Sequence, residues 1–277
     1  MKLVHISDIH INGEPILGHD SIANFKKCLA YVEAHDHDAD RVVITGDLTH
    51  YGLEESYREL QFILEASSLK GKLAPRLMIG NHDSREMFAS MFAETNRDAA
   101  GFVQWTEETP AGLFGYMDTV DQGKHSGRYC QQRMDWLRAV LDGARAKGQR
   151  AYLFMHHNPV RVHVANADII GIIDERALQA LLSEYKDTVP ICSSVTATIL
   201  SAAQSAAFPI RLRARPITPA GLSFQARSTG WGTVTWRRTT MSVSSTRTAR
   251  WCIRSTFSRL TGSSGGSIPI LTSTDIC

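Results

Sequence analysis

Residues 41–47 read RVVITGD, in which five mostly β-branched residues are followed by a glycine and an aspartate. Val and Ile favour extended backbone, and the run is too short for a helix, so it predicts a buried β-strand. The strand should stop at Gly46-Asp47, because glycine breaks the pattern. Two other runs have the same form, since residues 2–7 stop at Asp8 and residues 77–79 stop at Gly80. The sequence therefore predicts short strands that end in polar residues.

Segments whose apolar residues have helical spacing lie between these strands. Ile22, Phe25, Leu29 and Val32 recur every three or four positions, as on one face of an amphipathic helix that starts at Ser21. The other predicted elements are a helix over 54–64, strands over 113–117 and 151–155, and helices around 134–141 and over 175–185. Alternating strands and helices predict an α/β fold in which central β-sheets are flanked by layers of helices.

Residues of metal-ligand type follow four of the predicted strands, and open α/β sheets gather ligands at the carboxyl ends of their strands. Asp8 and His10 are two residues apart, so continued extended backbone would point both toward one cation. Asp47 can bridge two cations, with Asn81 and His156 as ligands of the second. This mixed oxygen and nitrogen set suits two divalent ions of Fe, Mn, Zn or Co.

Each motif has a simpler structural interpretation when it is taken alone. Asp8 could cap a turn, Gly80-Asn81 could form one, and His156-His157 could be buried core histidines. Four motifs that each follow a short apolar run favour the metal interpretation, because chance would seldom place all of them there. Five other histidines are predicted to be ordinary: His5, His19, His35, His37 and His163.

These motifs together resemble a known family. Asp8-x-His10, Gly46-Asp47, Gly80-Asn81-His82-Asp83 and His156-His157-x-Pro159 are similar to the motifs of the calcineurin-like metallophosphoesterases, over residues 1 to about 190. Within that superfamily, residues 5–8 and 154–157 most resemble the class III cyclic-nucleotide and glycerophosphodiester phosphodiesterases. The resemblance implies a metallophosphoesterase-type fold and a binuclear centre.

The resemblance also implies a role for each residue. Asp8 and His10 would bind the first metal, Asp47 would bridge, and Asn81 and His156 would bind the second. His82 would assist catalysis, oriented by Asp83. The alternative for His82 is a hydrogen bond that only orients Asn81.

The implied activity is hydrolysis of small-molecule phosphodiesters by metal-activated water: cyclic nucleotides, glycerophosphodiesters, aryl or alkyl phosphodiesters and also phosphonate monoesters. His50-Tyr51 and the loop over 158–167 are candidates to face the substrate, with ordinary surface loops as the alternative. Other functions left open are a phosphomonoesterase, a nuclease, and a degenerate metal-binding relative without catalysis. A nucleic acid is the less favoured partner, no membrane is expected, and a homo-oligomer is open.

The composition changes sharply near Pro190. Residues 191–277 contain ten Arg, no Lys, no His, a single acidic residue and 29 Ser or Thr. A basic disordered extension, a folded β-domain around Trp231–Trp236 and a reading-frame shift near Cys192 are the three interpretations. We favour the frame shift, because the acidic and lysine residues expected on a protein surface are missing. The predicted organisation is an incomplete metallophosphoesterase domain over 1–190 and an anomalous segment over 191–277.

The family pattern ends in Gly-His-x-His, which the resemblance implies would give one further ligand to each metal. This chain has no histidine after His163, and residues 191–198 read ICSSVTAT at the expected place. Cys192 is the one residue in that stretch that could substitute as a ligand. The missing motif and the predicted frame shift therefore coincide.

Three further features bear on location. The N-terminus becomes polar too early for a secretory signal, and the uncharged run over 188–210 is too rich in Ser, Thr, Gln and Pro for a spanning helix. The five cysteines show no disulfide framework and are expected to be reduced. These features predict a cytoplasmic protein.

Overall fold

The computed structural model describes residues 1–93, 97–161, 168–173 and 175–194, and the backbone of two short strands at 238–242 and 254–255. The helices are α1 (Ser21–His35), α2 (Glu54–Ala66), α3 (Arg85–Met91), α4 (Gln131–Ala146) and α5 (Glu175–Glu184), and a 3-10 turn spans Gly71–Leu73. The strands are β1 (Lys2–Ile6), β2 (Arg41–Thr45), β3 (Arg76–Met78), β4 (Trp105–Thr109), β5 (Gly112–Tyr116), β6 (Ala151–Phe154), β7 (Ile191–Ser193), β8 (Arg238–Ser242) and β9 (Arg254–Ser255).

The described strands form two sheets. The first has the order β3-β2-β1-β8-β9, and the second has the order β4-β5-β6-β7. The strands β1, β2 and β3 are parallel to each other, as are β5, β6 and β7, whereas β8, β9 and β4 pair antiparallel with their neighbours. The parallel strands of each sheet therefore end at a common edge.

The two sheets pack against each other, and the helices cover their outer faces. In β2, Ile44 belongs to the cluster that includes α1 and α2 residues, whereas its neighbour Val43 packs with residues of the second sheet. In β6, Leu153 packs with residues of α4 and α5, whereas Phe154 packs with residues of the first sheet. This alternation follows from the two-residue period of a strand. The predicted α/β fold with central sheets and flanking helices is confirmed.

Several elements were not predicted from the sequence, and strand β4 and helix α3 are two examples. Strand β4 reads WTEET and alternates between half-buried and exposed residues, because it lies at the edge of the second sheet and needs little apolar sequence. Helix α3 has seven residues and begins after Ser84, whose hydroxyl accepts a hydrogen bond from the Met87 backbone N–H at 3.2 Å. Short elements with one or two buried residues give no clear periodic signal.

The candidate site lies where the strands end. The loops after β1 and β2 run side by side, since Asp8 N–H donates to the Gly46 carbonyl at 3.2 Å and His10 N–H donates to the Asp47 carbonyl at 2.8 Å. His156, which follows β6, contacts the Thr45 carbonyl at the end of β2, with 3.0 Å between Nδ1 and the oxygen. The carboxyl ends of strands from both sheets therefore meet at one place.

Some sequence predictions concern residues outside the described part of the chain. They are His163, most of the 158–167 loop and the alternating run at Trp231–Trp236. Among the described helices, none is both long enough and apolar enough to cross a bilayer.

Candidate metal centre

Asp47 lies between two histidines. Its Oδ2 is 3.6 Å from Nε2 of His10, and its Oδ1 is 3.4 Å from Nε2 of His156. The backbone N–H of His82 also donates to Oδ1 at 2.9 Å. A buried carboxylate that presents one oxygen to each of two imidazoles has the arrangement needed to hold two cations.

The other predicted ligands lie around Asp47. Asp8, Asp47 and His156 each offer a ligand atom, and these three atoms lie within 4.8 Å of one another. Asn81 joins them, since its Oδ1 is 3.3 Å from Nε2 of His156. The structure thus brings the five predicted metal residues together, although it groups Asp8 with His156 and not with His10.

Left-handed turns, and not extended backbone, aim Asp8 and His10 at the site. Strand β1 ends at Ile6, and the φ angles of Asp8 and His10 are 53° and 42°. Asp47 has a φ of 48°. Such non-glycine residues cost on the order of 1–3 kcal/mol each and persist where surrounding contacts hold them. The expectation that a strand period of two would align Asp8 with His10 is therefore wrong.

Hydrogen bonds fix the histidine rings. The Nδ1 of His156 lies 3.0 Å from the Thr45 carbonyl, and the Nδ1 of His82 lies 2.8 Å from the His50 carbonyl. Because a carbonyl accepts only, each Nδ1 carries a proton, which leaves Nε2 as the ring atom that faces a ligand or substrate. This is the usual way in which an outer hydrogen bond orients a metal-binding imidazole.

Burial and the neighbouring charges shift the acid-base behaviour of the site. Burial lowers the pKa of His10 to about 4 and is the main cause that raises the pKa of Asp8 to about 7. Burial opposes ionisation of both Asp47 and His156, but their mutual attraction outweighs it. The pKa of Asp47 lies below its usual range, and that of His156 is raised to about 10. The pair strongly favours opposite charges.

Asp83 fastens two loops together. Its carboxylate accepts hydrogen bonds from the backbone N–H groups of Leu48 at 2.9 Å, Thr49 at 3.0 Å and Gly80 at 2.8 Å. Burial is the main cause that raises its pKa to about 6. The His50 carbonyl orients the ring of His82. Asp83 therefore positions the loop that carries His82 and not its imidazole.

Four histidines from four loops form what we call the histidine cluster: His10, His50, His82 and His125. The ring centroid of His82 lies 4.8 Å from the centroid of His10, 5.0 Å from that of His50 and 5.6 Å from that of His125. Ligand atoms of His10, His50 and His82 lie within 4.8 Å of one another. The sequence predicted His50 only as a candidate to face substrate. It gave no signal for His125, which lies several residues beyond the nearest predicted strand.

Cys192 does not replace a missing metal ligand. It lies in β7 and packs with the core between the second sheet and its helices, with Sγ 3.9 Å from Sδ of Met155. Burial raises the pKa of its thiol to about 12, so the sulfur keeps its proton. Because its side chain packs in this core, Cys192 is not among the donors grouped around Asp47.

Two glycines let the ligands pack this closely. A Cβ on Gly80 would lie 2.3 Å from Oδ1 of Asp47 and 2.9 Å from Nε2 of His156, and one on Gly46 would lie 2.4 Å from Nδ1 of His156. The donors that converge here are two carboxylates, an amide oxygen and imidazole nitrogens. Their chemistry and their close approach fit a divalent metal pair.

Replacing Gly80 by alanine should weaken metal binding. The new Cβ would push Asp47 and His156 apart, and displacing an orienting contact of a metal site typically costs about 10–100-fold in affinity. Equilibrium dialysis with Mn²⁺ measures this effect. Gly13→Ala is the matched control, because a Cβ there would have nothing within 4 Å. Unchanged Mn²⁺ affinity in Gly80→Ala would show that the ligands do not depend on this packing.

The geometry agrees with a comparison against known families. The sequence model of the calcineurin-like phosphoesterases matches residues 1–191. The chain belongs to this family. Its match ends where the composition of the chain changes.

Curated relatives of this calcineurin-like phosphoesterase carry phosphodiesterase names. A protein of Rhodopseudomonas palustris named "Probable cyclic nucleotide phosphodiesterase" is 35% identical over 182 residues, which cover 64% of this chain and 64% of that protein. A protein of Arcobacter nitrofigilis named "Probable glycerophosphodiester phosphodiesterase" is 25% identical over 197 residues, covering 69% of this chain and 70% of that protein. The chain thus matches somewhat less than two thirds of the first relative's length.

A solved structure supports the fold. The dimetal phosphatase from Danio rerio superimposes with a TM-score of 0.53 at 16% sequence identity, covering 68% of this chain and 78% of that one. At this identity the likeness shows a shared architecture and no more.

Proposed function

We propose that this chain is a binuclear metal-dependent phosphodiesterase that hydrolyses small-molecule phosphodiesters. The observation that carries the proposal is the position of Asp47, with one carboxylate oxygen facing His10 and the other facing His156. Asp8 and Asn81 complete the site. By this proposal these five residues hold two divalent cations of Fe, Mn, Zn or Co.

The protein's own residues would prepare the substrate for attack. Cations held by these residues would supply positive charge to neutralise the phosphodiester and would activate a water for in-line displacement. His82, held by the His50 carbonyl at 2.8 Å, has its Nε2 free to act on substrate. In the proposed mechanism its imidazolium donates a proton to the leaving alkoxide, while Asp83 keeps the His82 loop against the Asp47 loop.

The substrate class follows from the site and the relatives together. Cyclic nucleotides and glycerophosphodiesters are the preferred candidates, followed by aryl or alkyl phosphodiesters and phosphonate monoesters. Tyr51 supports a substrate rim, since its side chain is 66% exposed and its ring lies 4.4 Å from that of His50. We propose that the enzyme acts in the cytoplasm, alone or as a homo-oligomer.

We also propose that residues after Ile191 arise from a shifted reading frame. The family match ends at residue 191, and the segment that follows has ten Arg but one acidic residue. Strand β7 pairs Ser193 with Phe154 in parallel, so the chain beyond β7 begins beside His156. Ser194 reaches that loop, donating to Oδ1 of Asn158 at 2.7 Å. A Gly-His-x-His motif here would face the metal centre.

A second candidate function is a metal-binding relative without catalysis. The absence of any histidine after His163 favours it, because each metal would then have about three protein ligands. Metal analysis separates the candidates, since two equivalents with turnover indicate the enzyme and one or none without turnover indicates the non-catalytic relative.

A substrate panel tests the proposed activity. We expect the purified chain with Mn²⁺ to turn over bis(p-nitrophenyl) phosphate, cyclic AMP and a glycerophosphodiester faster than p-nitrophenyl phosphate or single-stranded DNA. A preference for the monoester would identify a monoesterase. Preferred cleavage of DNA, with the steep salt dependence of phosphate-backbone binding, would identify a nuclease.

A further inference from the structure

His125 is the member of the histidine cluster that neither the sequence motifs nor the proposed mechanism uses. It lies in the loop between β5 and α4 and is exposed at the surface. Its Nδ1 is 3.3 Å from Nδ2 of Asn81, and its ring lies beside that of His82. His125 therefore contacts a predicted metal ligand from the solvent side.

This contact decides which end of the Asn81 amide faces the centre. The amide nitrogen can only donate a hydrogen bond, so the Nδ1 of His125 must be its acceptor. With Nδ2 directed to His125, Oδ1 points toward Nε2 of His156 at 3.3 Å. A rotated amide would present a donor to the centre, and a donor cannot ligate a cation.

The loop that carries His125 is held in place by contacts of its residues Thr119 and Gly127. The Nδ1 of His157 lies 2.7 Å from Oγ1 of Thr119, and a Cβ on Gly127 would lie 2.5 Å from Cγ of His157. Gly127 N–H donates to the Gly171 carbonyl at 3.0 Å, and Ile173 N–H donates to the Gly127 carbonyl at 2.9 Å.

We propose that His125 is a positioning residue of the metal centre, which holds the Asn81 oxygen toward the second cation by accepting a hydrogen bond from the Asn81 amide. The inference rests on the proposed function, because it assumes that Asn81 ligates a metal. His157, which follows a predicted ligand, supports the loop through its contact with Thr119 and its packing against Gly127.

Two substitutions test the inference in the full chain. His125→Phe keeps a ring but removes the acceptor, whereas His125→Asn can place its Oδ1 where Nδ1 was. We expect His125→Phe to weaken the affinity for the weaker of two Mn²⁺ equivalents by about tenfold or more, as is typical when an outer partner of a ligand is lost. His125→Asn should retain the affinity. Calorimetric titration with Mn²⁺ alone measures it.

Controls separate this inference from its alternatives. The metal-free melting temperature should be unchanged in both variants, since His125 is exposed, and His37→Phe controls for loss of an exposed imidazole elsewhere. Equal Mn²⁺ affinities of wild type and His125→Phe would overturn the inference alone. Equal losses in His125→Phe and His125→Asn would also overturn it, since the acceptor would not matter. Absence of Mn²⁺ binding by the wild type would overturn the proposed function together with it.

Discussion

Asp47→Asn should reduce the rate of phosphodiester hydrolysis by about a thousandfold or more. A bound metal stabilises the transition state by several kcal/mol, and about 1.4 kcal/mol corresponds to a factor of ten in rate. The substitution preserves size but removes the charge and one of the two oxygens. Asp47 faces His10 with one oxygen and His156 with the other, so an amide would retain at most one metal contact. Steady-state rates on bis(p-nitrophenyl) phosphate and metal content by mass spectrometry measure the two losses.

A matched control for Asp47→Asn is Asp142→Asn. Asp142 is an exposed aspartate on α4 that accepts a hydrogen bond from the Tyr185 hydroxyl at 2.7 Å, away from the centre. It should change neither metal content nor rate. If the Asp47→Asn protein binds two metals and hydrolyses substrate at the wild-type rate, Asp47 does not bridge the two metals.

The strand runs predicted the fold because each is apolar on both faces. Val43 packs between the sheets and Ile44 packs under the helices, so residues 42–44 need apolar side chains at every position. Strand β4 escaped prediction for the opposite reason, since an edge strand can be polar. The apolar pattern therefore reveals apolar strands, including the edge strand β3, and misses a polar edge strand such as β4.

The site could be predicted as a set of residues but not as a geometry. Asp8, Asp47 and Asn81 stand out because each follows a strand, and strand ends meet at one edge of the sheet. The left-handed backbone at Asp8 and Asp47 is set by the paired loops, which no local pattern reveals. His125 comes from a loop of the second sheet and reaches Asn81 only in the folded chain.

Restoring the reading frame after Ile191 should raise phosphodiesterase activity by about a hundredfold or more, on the same scale of several kcal/mol for metal-derived stabilisation. The printed chain gives each proposed cation about three protein ligands, and a Gly-His-x-His motif after β7 would add a nitrogen donor to each site. Coordination by one more imidazole holds a cation more tightly, so metal loss during purification should fall. A chimaera in which a segment that carries Gly-His-x-His follows β7 tests this directly.

The chimaera needs a control, because a folded C-terminal segment could raise activity without contributing ligands. A second chimaera with both motif histidines replaced by alanine keeps the segment and removes the donors. We expect its metal content and rate on bis(p-nitrophenyl) phosphate to fall back toward those of the printed chain. Equal activity of the two chimaeras would assign the gain to folding. Equal activity of the printed chain and the intact chimaera, with an unshifted gene around codon 192, would end the frame-shift proposal and leave Asp8, His10, Asp47, Asn81 and His156 as a sufficient ligand set.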